Sequence, residues 1–483
     1  MYSFLLSIAA LVLGYLVYGK FVDKVFGPDP KRITPAIEKA DGVDYIALPT
    51  WKVFMIQFLN IAGTGPIFGA IMGAKFGPAS YLWIVFGCIF AGAVHDYMCG
   101  MLSVRHGGAG FPELVGQYLG QGTKKAMLVF SIVLLLLVGT VFVYSPALIL
   151  GDIAGDGTRT SIMIWVAVIF LYYIVATLLP IDKLIGRVYP LFAVALLFMA
   201  AALMVCLFMK WPALPEVWDG LGGWSAKAGL KGQPIFPCLF ITIACGAISG
   251  FHATQSPLMA RCIRSEKLGR PVFYGSMITE GLVALIWAAV ASWFFFDGGA
   301  AEVGSTGAAS APVVVTKVSE SWLGILGGIL AILGVVAAPI TSGDTAFRSA
   351  RLIIADFVKV PQKDIRKRLV IALPLFGLSA LLLWYNIADE NGFNTIWRYF
   401  GWSNQTLATF MLWTATAFLL RRGGLSYLLT LLPAIFMTAV CVTFILVDKT
   451  GFRVPQDLAP WIGIGTFVVS AVAFYALKRR GER

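Results

Sequence analysis

The stretch Ile241–Gln255, ITIACGAISGFHATQ, decides the fold because it interrupts an apolar segment near its middle. The surrounding residues 236–262 are long and apolar enough to form a membrane-spanning helix. Within them, Gly246 to Gly250 are poor helix formers, and Pro257 removes a backbone donor from the turn that follows. We therefore predict a membrane helix that is broken in the middle.

A second apolar segment, residues 51–73, carries the same kind of interruption at Asn60–Pro66, NIAGTGP. Pro66 has no N–H group, so the carbonyl of Ala62 loses its helical donor. In hydrocarbon an unsatisfied carbonyl costs several kcal/mol, so it needs a neighbouring helix, a water or an ion. For either segment alone, a kink or a close-packing glycine is the plainer interpretation.

The composition places the whole chain in a membrane. Of its 483 residues, 59% are hydrophobic and only 13% are charged, and the mean hydropathy is +0.83. Soluble domains carry about 25% charged residues, so this chain lacks the polar surface of a soluble enzyme, a nucleic-acid binder or a disordered protein. We expect one all-helical membrane domain over residues 1–483, embedded in the lipid of the inner (plasma) membrane, with no nucleic acid partner.

About thirteen segments of about 20 residues are apolar enough to cross a bilayer. They begin near Met1, Lys52, Ser80, Lys125, Ser161, Val188, Phe236, Tyr274, Trp322, Arg368, Thr406, Leu425 and Ala459, and are numbered spans 1 to 13. Most of the 37 Lys and Arg residues fall in alternate connections between these spans. Since basic residues accumulate in cytoplasmic loops, the alternation predicts an N-terminus outside the cell and a C-terminus in the cytoplasm.

The two interrupted segments are spans 2 and 7, which lie five helices apart and run in opposite directions. Paired broken helices in halves of opposite topology are typical of secondary transporters with inverted repeats, whose site lies near the bilayer midplane. We predict a leucine-transporter-type 5+5 inverted repeat with extra helices at both ends. Its parts are an extra N-terminal helix at 1–20, a first repeat at 52–208, a second repeat at 236–420 and two extra C-terminal helices in 425–483.

The breaks predict where a substrate would bind. Backbone N–H groups at a helix N-terminus attract anions, so the half-helices that restart near Gly65 and Gly250 are expected to hold a substrate carboxylate. The candidate substrate-binding residues are Gly63, Thr64, Gly65, Gly246, Ser249, Gly250 and His252.

Span 9 adds a candidate ion site. Its run Ala338-Pro339-Ile340-Thr341-Ser342 resembles the Ala-x-x-Thr-Ser run that binds sodium, together with carbonyls of the first core helix, in leucine-transporter-type folds. The candidate ion ligands are Ala62, Ala338, Thr341 and Ser342. The coupling ion would be Na⁺ or H⁺, and we expect no other metal and no cofactor.

Ionisable residues inside membrane spans are costly and usually functional. Asp96 in span 3, Glu280 in span 8 and Asp344 in span 9 are therefore candidate proton relays. Two of them, Asp344 and Glu280, have a plainer alternative. Asp344 and Arg348 lie four residues apart on one helix face, which suits a local salt bridge, and Glu280 would suit a position near the interface.

Motifs for metal binding or catalysis are missing from the sequence. His95, His106 and His252 lack the spacing of zinc ligands, and His252 is better explained as a hydrogen-bonding or pH-sensing group in a cavity. The seven cysteines form no CxxC pair and are expected to be packing residues. Nucleophile and phosphate-binding motifs are absent, and the adjacent His95 and Asp96 point to different helix faces.

Five sequence blocks resemble the carbon starvation protein A (CstA) family. They are Asn60–Pro66, Ala91–Met98 (AGAVHDYM), Ile241–Gln255, Pro339–Asp356 (PITSGDTAFRSARLIIAD) and Trp397–Trp413 (WRYFGWSNQTLATFMLW). The resemblance implies an amino acid–polyamine–cation type of fold and the uptake of peptides or of pyruvate during carbon starvation. Family members are often longer than this chain.

The leading hypothesis is therefore a secondary active importer of a peptide or a pyruvate-like small carboxylate, coupled to a Na⁺ or H⁺ gradient. A passive channel is the first alternative, but polar residues cluster at the breaks rather than along one continuous face. An integral membrane enzyme is the second alternative. The sequence leaves open the substrate, the coupling ion, the oligomeric state and whether Asp344 pairs with Arg348 or carries a proton.

Overall fold

The computed structural model describes residues 1–178, 185–230, 232–362, 364–389 and 392–481. Residues 179–184 of the first predicted repeat and 482–483 of the C-terminal extension therefore lie outside the described part. Within the described ranges the chain is built from helices and the connections between them.

The main helices are numbered along the chain. They are α1 (Tyr2–Phe26), α2 (Thr50–Ile61), α3 (Gly65–Ala74), α4 (Ala79–Arg105), α5 (Phe111–Leu119), α6 (Gln121–Ile153), α7 (Arg159–Leu178), α8 (Ile185–Lys210), α9 (235–242), α10 (Gly250–Ala260), α11 (Glu266–Phe296), α12 (Ala311–Leu330), α13 (Ala337–Val358), α14 (Ile365–Ala388), α15 (Gly392–Arg421), α16 (Leu428–Val447) and α17 (Ala459–Gly481).

Nine helices in the described ranges are long and apolar enough to cross a membrane, and the bent pair α2–α3 would make a tenth. The chain is thus a multi-pass membrane protein. The predicted spans 7, 9 and 11 fall on α9–α10, α12–α13 and α15, which do not meet this test. Among the described residues, α9 and α10 are each too short, α13 carries several charged residues, and α15 carries the amide side chains of Asn404 and Gln405.

The structure contains both helix breaks that the sequence predicts. Helix α2 ends at Ile61 and α3 begins at Gly65, with a bend of 53° between them. Residues 243–249, between α9 and α10, are not helical. Span 9 behaves differently: a π-helical segment, Ala331–Val336, precedes Pro339, and α13 continues through the proline. The wider π turn accommodates a residue that cannot donate to the preceding turn.

The broken helices lie at the centre of the bundle. Every residue of α10 is buried, and α10 packs against α2, α4, α13 and α15. The helices α1, α7 and α17 lie at the periphery and expose apolar side chains such as Leu6, Leu171 and Val469. Such an apolar surface is stable in contact with lipid rather than water. The polar and charged side chains of the spans therefore lie in the interior of the bundle.

A cavity of about 510 Å³ opens at one end of the bundle. It is lined by Phe68 and Met72 of α3, Ile241 and Thr242 of α9, and Gly401 of α15, together with residues from the nearby connections. The second half of span 2, the first half of span 7 and the start of α15 thus contribute to the cavity wall. At the opposite end, the connection between α1 and α2 covers the bundle, as described below.

Candidate functional site

The two helix breaks touch each other. A Cβ atom on Gly65 would overlap Sγ of Cys245, and one on Gly246 would lie 2.6 Å from Cβ of Ala284 and 3.8 Å from Cα of Pro66. Only glycine permits backbones to approach so closely. The structure therefore brings together the predicted substrate-binding residues of span 2 and span 7.

Asn404 of α15 organises the break of span 7. Its Oδ1 accepts hydrogen bonds from the backbone N–H of Phe251 at 2.6 Å and from Oγ of Ser249 at 3.0 Å. Its Nδ2 contacts Sγ of Cys245 at 3.7 Å. A Cβ on Gly250 would overlap the carbonyl oxygen of Asn404, so α10 begins in backbone contact with α15. The amide side chain thus satisfies one of the free N–H groups at this helix start.

A chain of buried acid–base groups runs beside this break. Nδ1 of His95 lies 2.7 Å from Oδ1 of Asp96, and Nδ1 of His252 lies 2.9 Å from Oδ2 of the same carboxylate. Nε2 of His252 then lies 3.4 Å from Oε2 of Glu280. These four side chains are fully buried. The chain connects α4, α10 and α11, and it unites three residues that the sequence singled out separately.

The hydrogen-bond pattern assigns the protons in this chain. Asp96 accepts from both imidazoles, so Nδ1 of His252 carries a hydrogen and Nε2 is the acceptor when the ring is neutral. In the described structure, Nε2 of His252 and both carboxyl oxygens of Glu280 have no hydrogen-bond partner. Two acceptors that face each other require a proton or a cation between them. Glu280 is enclosed by protein and does not reach an interface.

The candidate ion ligands of span 9 lie against the end of α2. Oγ of Ser342 donates to the carbonyl of Leu59 at 2.9 Å, and Oγ1 of Thr341 donates to the carbonyl of Ala338 at 2.8 Å. A Cβ on Gly63 would lie 3.4 Å from Cβ of Ser342 and closer still to the ring of Phe142. The break of span 2 and the Thr-Ser pair are therefore neighbours.

The remaining predicted residues sit beside this contact. Ala62 is the first residue after α2, and Thr64 follows it with a buried side chain whose hydroxyl has no hydrogen-bond partner in the described structure. Oδ2 of Asp344 accepts a hydrogen bond of 2.6 Å from the hydroxyl of Tyr189. The same hydroxyl lies 3.1 Å from the carbonyl of Thr341, so Tyr189 joins the carboxyl group to the candidate ion site.

The connection between α1 and α2 closes the end of the bundle opposite the cavity. Asp44 is buried there, with Oδ1 at 3.8 Å from Nη1 of Arg348 and 3.9 Å from Nη2 of Arg351. The backbone N–H of Leu48 donates to the carbonyl of Cys262 at 3.1 Å. Asp44, rather than Asp344, is the acidic partner that the described structure gives Arg348 within a salt-bridge distance.

Tyr45 and Arg261 strengthen this closure. The guanidinium of Arg261 lies over the ring of Tyr45, 5.1 Å from its centre, and donates to the carbonyl of Gly108 at 2.9 Å. Burial raises the pKa of Tyr45, and the positive charge of Arg261 opposes that rise. The phenol is therefore neutral at physiological pH and acts as a packing and hydrogen-bonding group.

Sequence reasoning did not identify Asn404, Tyr189 or Cys245 as site residues. In the sequence, Asn404 stands only within the block Trp397–Trp413, Tyr189 is one aromatic residue in an apolar span, and Cys245 is expected to be a packing residue. Each becomes part of the site through contacts with residues far away in the sequence.

A buried polar centre between two broken helices, beside a cavity in a bundle of membrane helices, is the architecture of a secondary transporter. The comparison with protein families agrees with this class. The chain belongs to the carbon starvation protein CstA family, whose model matches residues 1–163, 150–321 and 297–444.

Three relatives illustrate the family. An uncharacterized membrane protein of Haemophilus influenzae is 48% identical over 60% of this chain and 91% of its own length. A peptide transporter CstA of Campylobacter jejuni is 28% identical over 90% of this chain and 78% of its own. The pyruvate/proton symporter BtsT of Escherichia coli is 25% identical over 93% and 81%. The chain is therefore a membrane transporter and not an enzyme.

A solved structure supports the fold. A manganese transporter of Eremococcus coleocola superimposes with a TM-score of 0.55, covering 91% of this chain and 99% of that one, at 11% sequence identity. At this identity the likeness concerns the arrangement of helices alone.

Proposed function

We propose that the protein is a secondary active importer that couples the uptake of a small carboxylate to the entry of protons. The observation that carries the proposal is the buried chain Asp96–His252–Glu280 beside the break of span 7. Because this chain lies beside the non-helical residues 243–249, protonation and substrate binding can both act on that segment. A channel has no need of such a buried acid–base chain.

Glu280 is the proposed proton carrier. An ionised carboxylate without a partner costs several kcal/mol to bury, whereas the neutral acid can donate to Nε2 of His252. Asp96 holds that ring in the orientation that accepts the proton. When the helices move and the contact between His252 and Glu280 opens, the proton can leave on the other side of the membrane.

The proposed substrate is a peptide or a pyruvate-like monocarboxylate, taken up during carbon starvation. Related proteins are named as transporters of each kind, and both substrates present a carboxylate. The N–H groups around Gly65 and Gly250 would receive it, as at other half-helix starts in transporters. The cavity of about 510 Å³ falls within the usual size range of small-molecule sites, roughly 300–1,000 Å³.

Sodium coupling is the second form of the proposal. Thr341, Ser342 and the carbonyls of Ala338 and Ala62 would hold Na⁺ beside the end of α2, and Asp344 would balance the charge through Tyr189. Oxygen donors of this type suit a hard cation. Exchanging both hydroxyl residues, Thr341→Ala with Ser342→Ala, would then abolish sodium-driven uptake.

The proposal includes the topology that the charge pattern predicts. All thirteen spans would cross the membrane in an amino acid–polyamine–cation type 5+5 arrangement, with the N-terminus outside and the C-terminus in the cytoplasm of the cell. The 510 Å³ cavity would then open to the outside, and the connection between α1 and α2 would close the cytoplasmic side. Rocking of spans 2, 3, 7 and 8 against the rest would alternate access.

The test is uptake of labelled pyruvate and of labelled dipeptides into proteoliposomes, with pH and Na⁺ gradients imposed separately. We expect accumulation that follows the pH gradient. Glu280→Gln should abolish accumulation driven by that gradient and leave exchange of labelled for unlabelled substrate, because exchange needs no net proton movement.

Glu113→Gln is the matched control, since Glu113 pairs with Lys124 near the surface. It should accumulate substrate like the unaltered protein. If Glu280→Gln accumulated substrate normally under a pH gradient, Glu280 would not be the proton carrier. If accumulation followed only the Na⁺ gradient, the coupling ion would be Na⁺, bound at the site of Thr341 and Ser342.

A further inference from the structure

Cys245 adds a thiol to one end of the buried acid–base chain. Its Sγ, a ring nitrogen of His252 and a carboxyl oxygen of Glu280 all lie within 4.8 Å of one another. All three side chains are buried. His252 and Glu280 take part in the proposed proton transfer, whereas the thiol of Cys245 has no role in it.

We propose that Cys245, His252 and Glu280 form a binding site for a thiophilic divalent cation of the Zn²⁺ type. Thiolate, imidazole and carboxylate are the three donor types that zinc takes in proteins, at about 2.0–2.3 Å. Donors around one tetrahedral ion are then roughly 3.5 Å apart. The observed separation of at most 4.8 Å needs only a small inward shift of the side chains.

Hydrogen bonds from neighbouring side chains already hold these donors in place. His252 gives its Nδ1 hydrogen to Asp96, so the free Nε2 faces the site, which is the arrangement found around metal-bound histidines. The amide of Asn404 and the hydroxyl of Ser249 contact Sγ of Cys245, at 3.7 Å and 3.5 Å. The amide can donate to a thiolate as it stands, and the hydroxyl of Ser249 can do so by turning its hydrogen away from Oδ1 of Asn404.

Charge and hydrogen bonding also fit a dication. One thiolate and one carboxylate neutralise two positive charges, which removes most of the cost of burying the ion. Nε2 of His252 and both oxygens of Glu280 have no hydrogen-bond partner in the described structure. These atoms therefore offer lone pairs that the surrounding described side chains do not use.

A route to the site starts at the cavity. Ile241 and Thr242 line the cavity wall, and Cys245 follows them in the non-helical segment 243–249. Movement of that segment would expose the thiol to the cavity. A bound cation would lie between His252 and Glu280, so it would interrupt their contact and inhibit uptake. This inhibition, but not the binding itself, rests on the proposed proton coupling.

The binding test uses the purified full-length protein, with Zn²⁺ in calorimetry and Co²⁺ as a spectroscopic probe. We expect one bound ion and a thiolate-to-cobalt absorption band. Cys245→Ser should abolish the band and weaken Zn²⁺ binding by about tenfold or more, since a ligand is lost. Cys99→Ser is the matched control, because this buried thiol contacts the carbonyl of Ala253 and lies outside the site. It should retain both signals.

Equal binding by the two serine variants, or the absence of the cobalt band from the unaltered protein, would overturn the metal site. The transport test compares uptake with and without Zn²⁺ for each variant, relative to its own uptake without the metal. Zn²⁺ should inhibit the unaltered protein and Cys99→Ser far more than Cys245→Ser. Binding that requires Cys245 but leaves uptake unchanged would uphold the site and contradict the proposed role of Glu280.

Discussion

Gly250 lets the backbone of α10 lie directly on that of α15. We expect Gly250→Ala to destabilise the protein by about 1–3 kcal/mol, the usual cost of overpacking a tight contact. The added methyl group would overlap the carbonyl of Asn404 and the N–H of Ala408, which belong to a rigid backbone. Thermal unfolding in detergent should show a lower midpoint, and uptake should fall.

Gly377 provides the control for this substitution. It is exposed in α14, and an added Cβ would meet no atom of the described residues within 4 Å. Gly377→Ala should be neutral or more stable by up to about 1 kcal/mol, the difference in helix propensity. An equal loss of stability in both variants would mean that the contact of Gly250 with α15 does not limit stability.

Single residues of the site were predictable when they break a rule of membrane chemistry. Asp96, Glu280 and Asp344 stand out because ionisable groups are rare within spans, and Gly65 and Gly246 stand out as helix breakers. Their contacts were not predictable, since Asp96 and His252 are 156 residues apart.

Asn404 and Tyr189 break no rule as single residues. A neutral amide or phenol in a membrane helix is compatible with many roles, and the partner alone reveals its task. Asn404 becomes a helix cap because α15 passes the start of α10, and Tyr189 becomes a carboxyl partner because α8 passes Asp344. The role of Cys245 likewise follows from its neighbours in the fold rather than from its own residue type.

The connection between α1 and α2 is an element whose closure can be tested with a native thiol. Asp44→Asn removes the charge that faces Arg348 and Arg351, so the connection should open more often. A loss of about 1 kcal/mol would raise the open population roughly fivefold. Cys262, which is buried beneath Leu48, should react faster with a maleimide, measured by mass spectrometry of its peptide.

Asp156→Asn serves as the control for labelling, because Asp156 is an exposed turn residue whose partner is Thr158. Its Cys262 should react at the rate of the unaltered protein. An unchanged rate in Asp44→Asn would show that the closure depends on packing by Tyr45 and Leu48 rather than on the buried carboxylate.

At the level of elements, the sequence predicted the breaks of spans 2 and 7 because glycine and proline act locally on the backbone. Pro339 acts on the backbone in the same local way, because it deprives a carbonyl of its donor. The response of the helix was not predictable, because a π turn and a full break satisfy the same local requirement. Neighbouring helices determine which of the two is more stable.

The orientation of the whole molecule remains a prediction from its charge distribution. We expect a green fluorescent protein fused to the C-terminus to fluoresce, because that end should lie in the cytoplasm. Alkaline phosphatase inserted at Gly307, an exposed residue between α11 and α12, should be active, because that connection should lie outside. The opposite pair of results would reverse the topology and the proposed direction of the cavity.

The contact between α10 and α15 constrains how the molecule can change shape. The backbones of Gly250 and α15 lie so close that α10 cannot tilt on α15 without a clash on one side and a void on the other, so rocking of span 7 relative to α15 would fall on α9. If α9 swings when the cavity closes, the rotation must be absorbed by residues 243–249. Cys245 would then travel on a pivot while His252 stays with the fixed partner, so each transport cycle would pull the thiol and the imidazole apart and bring them together again.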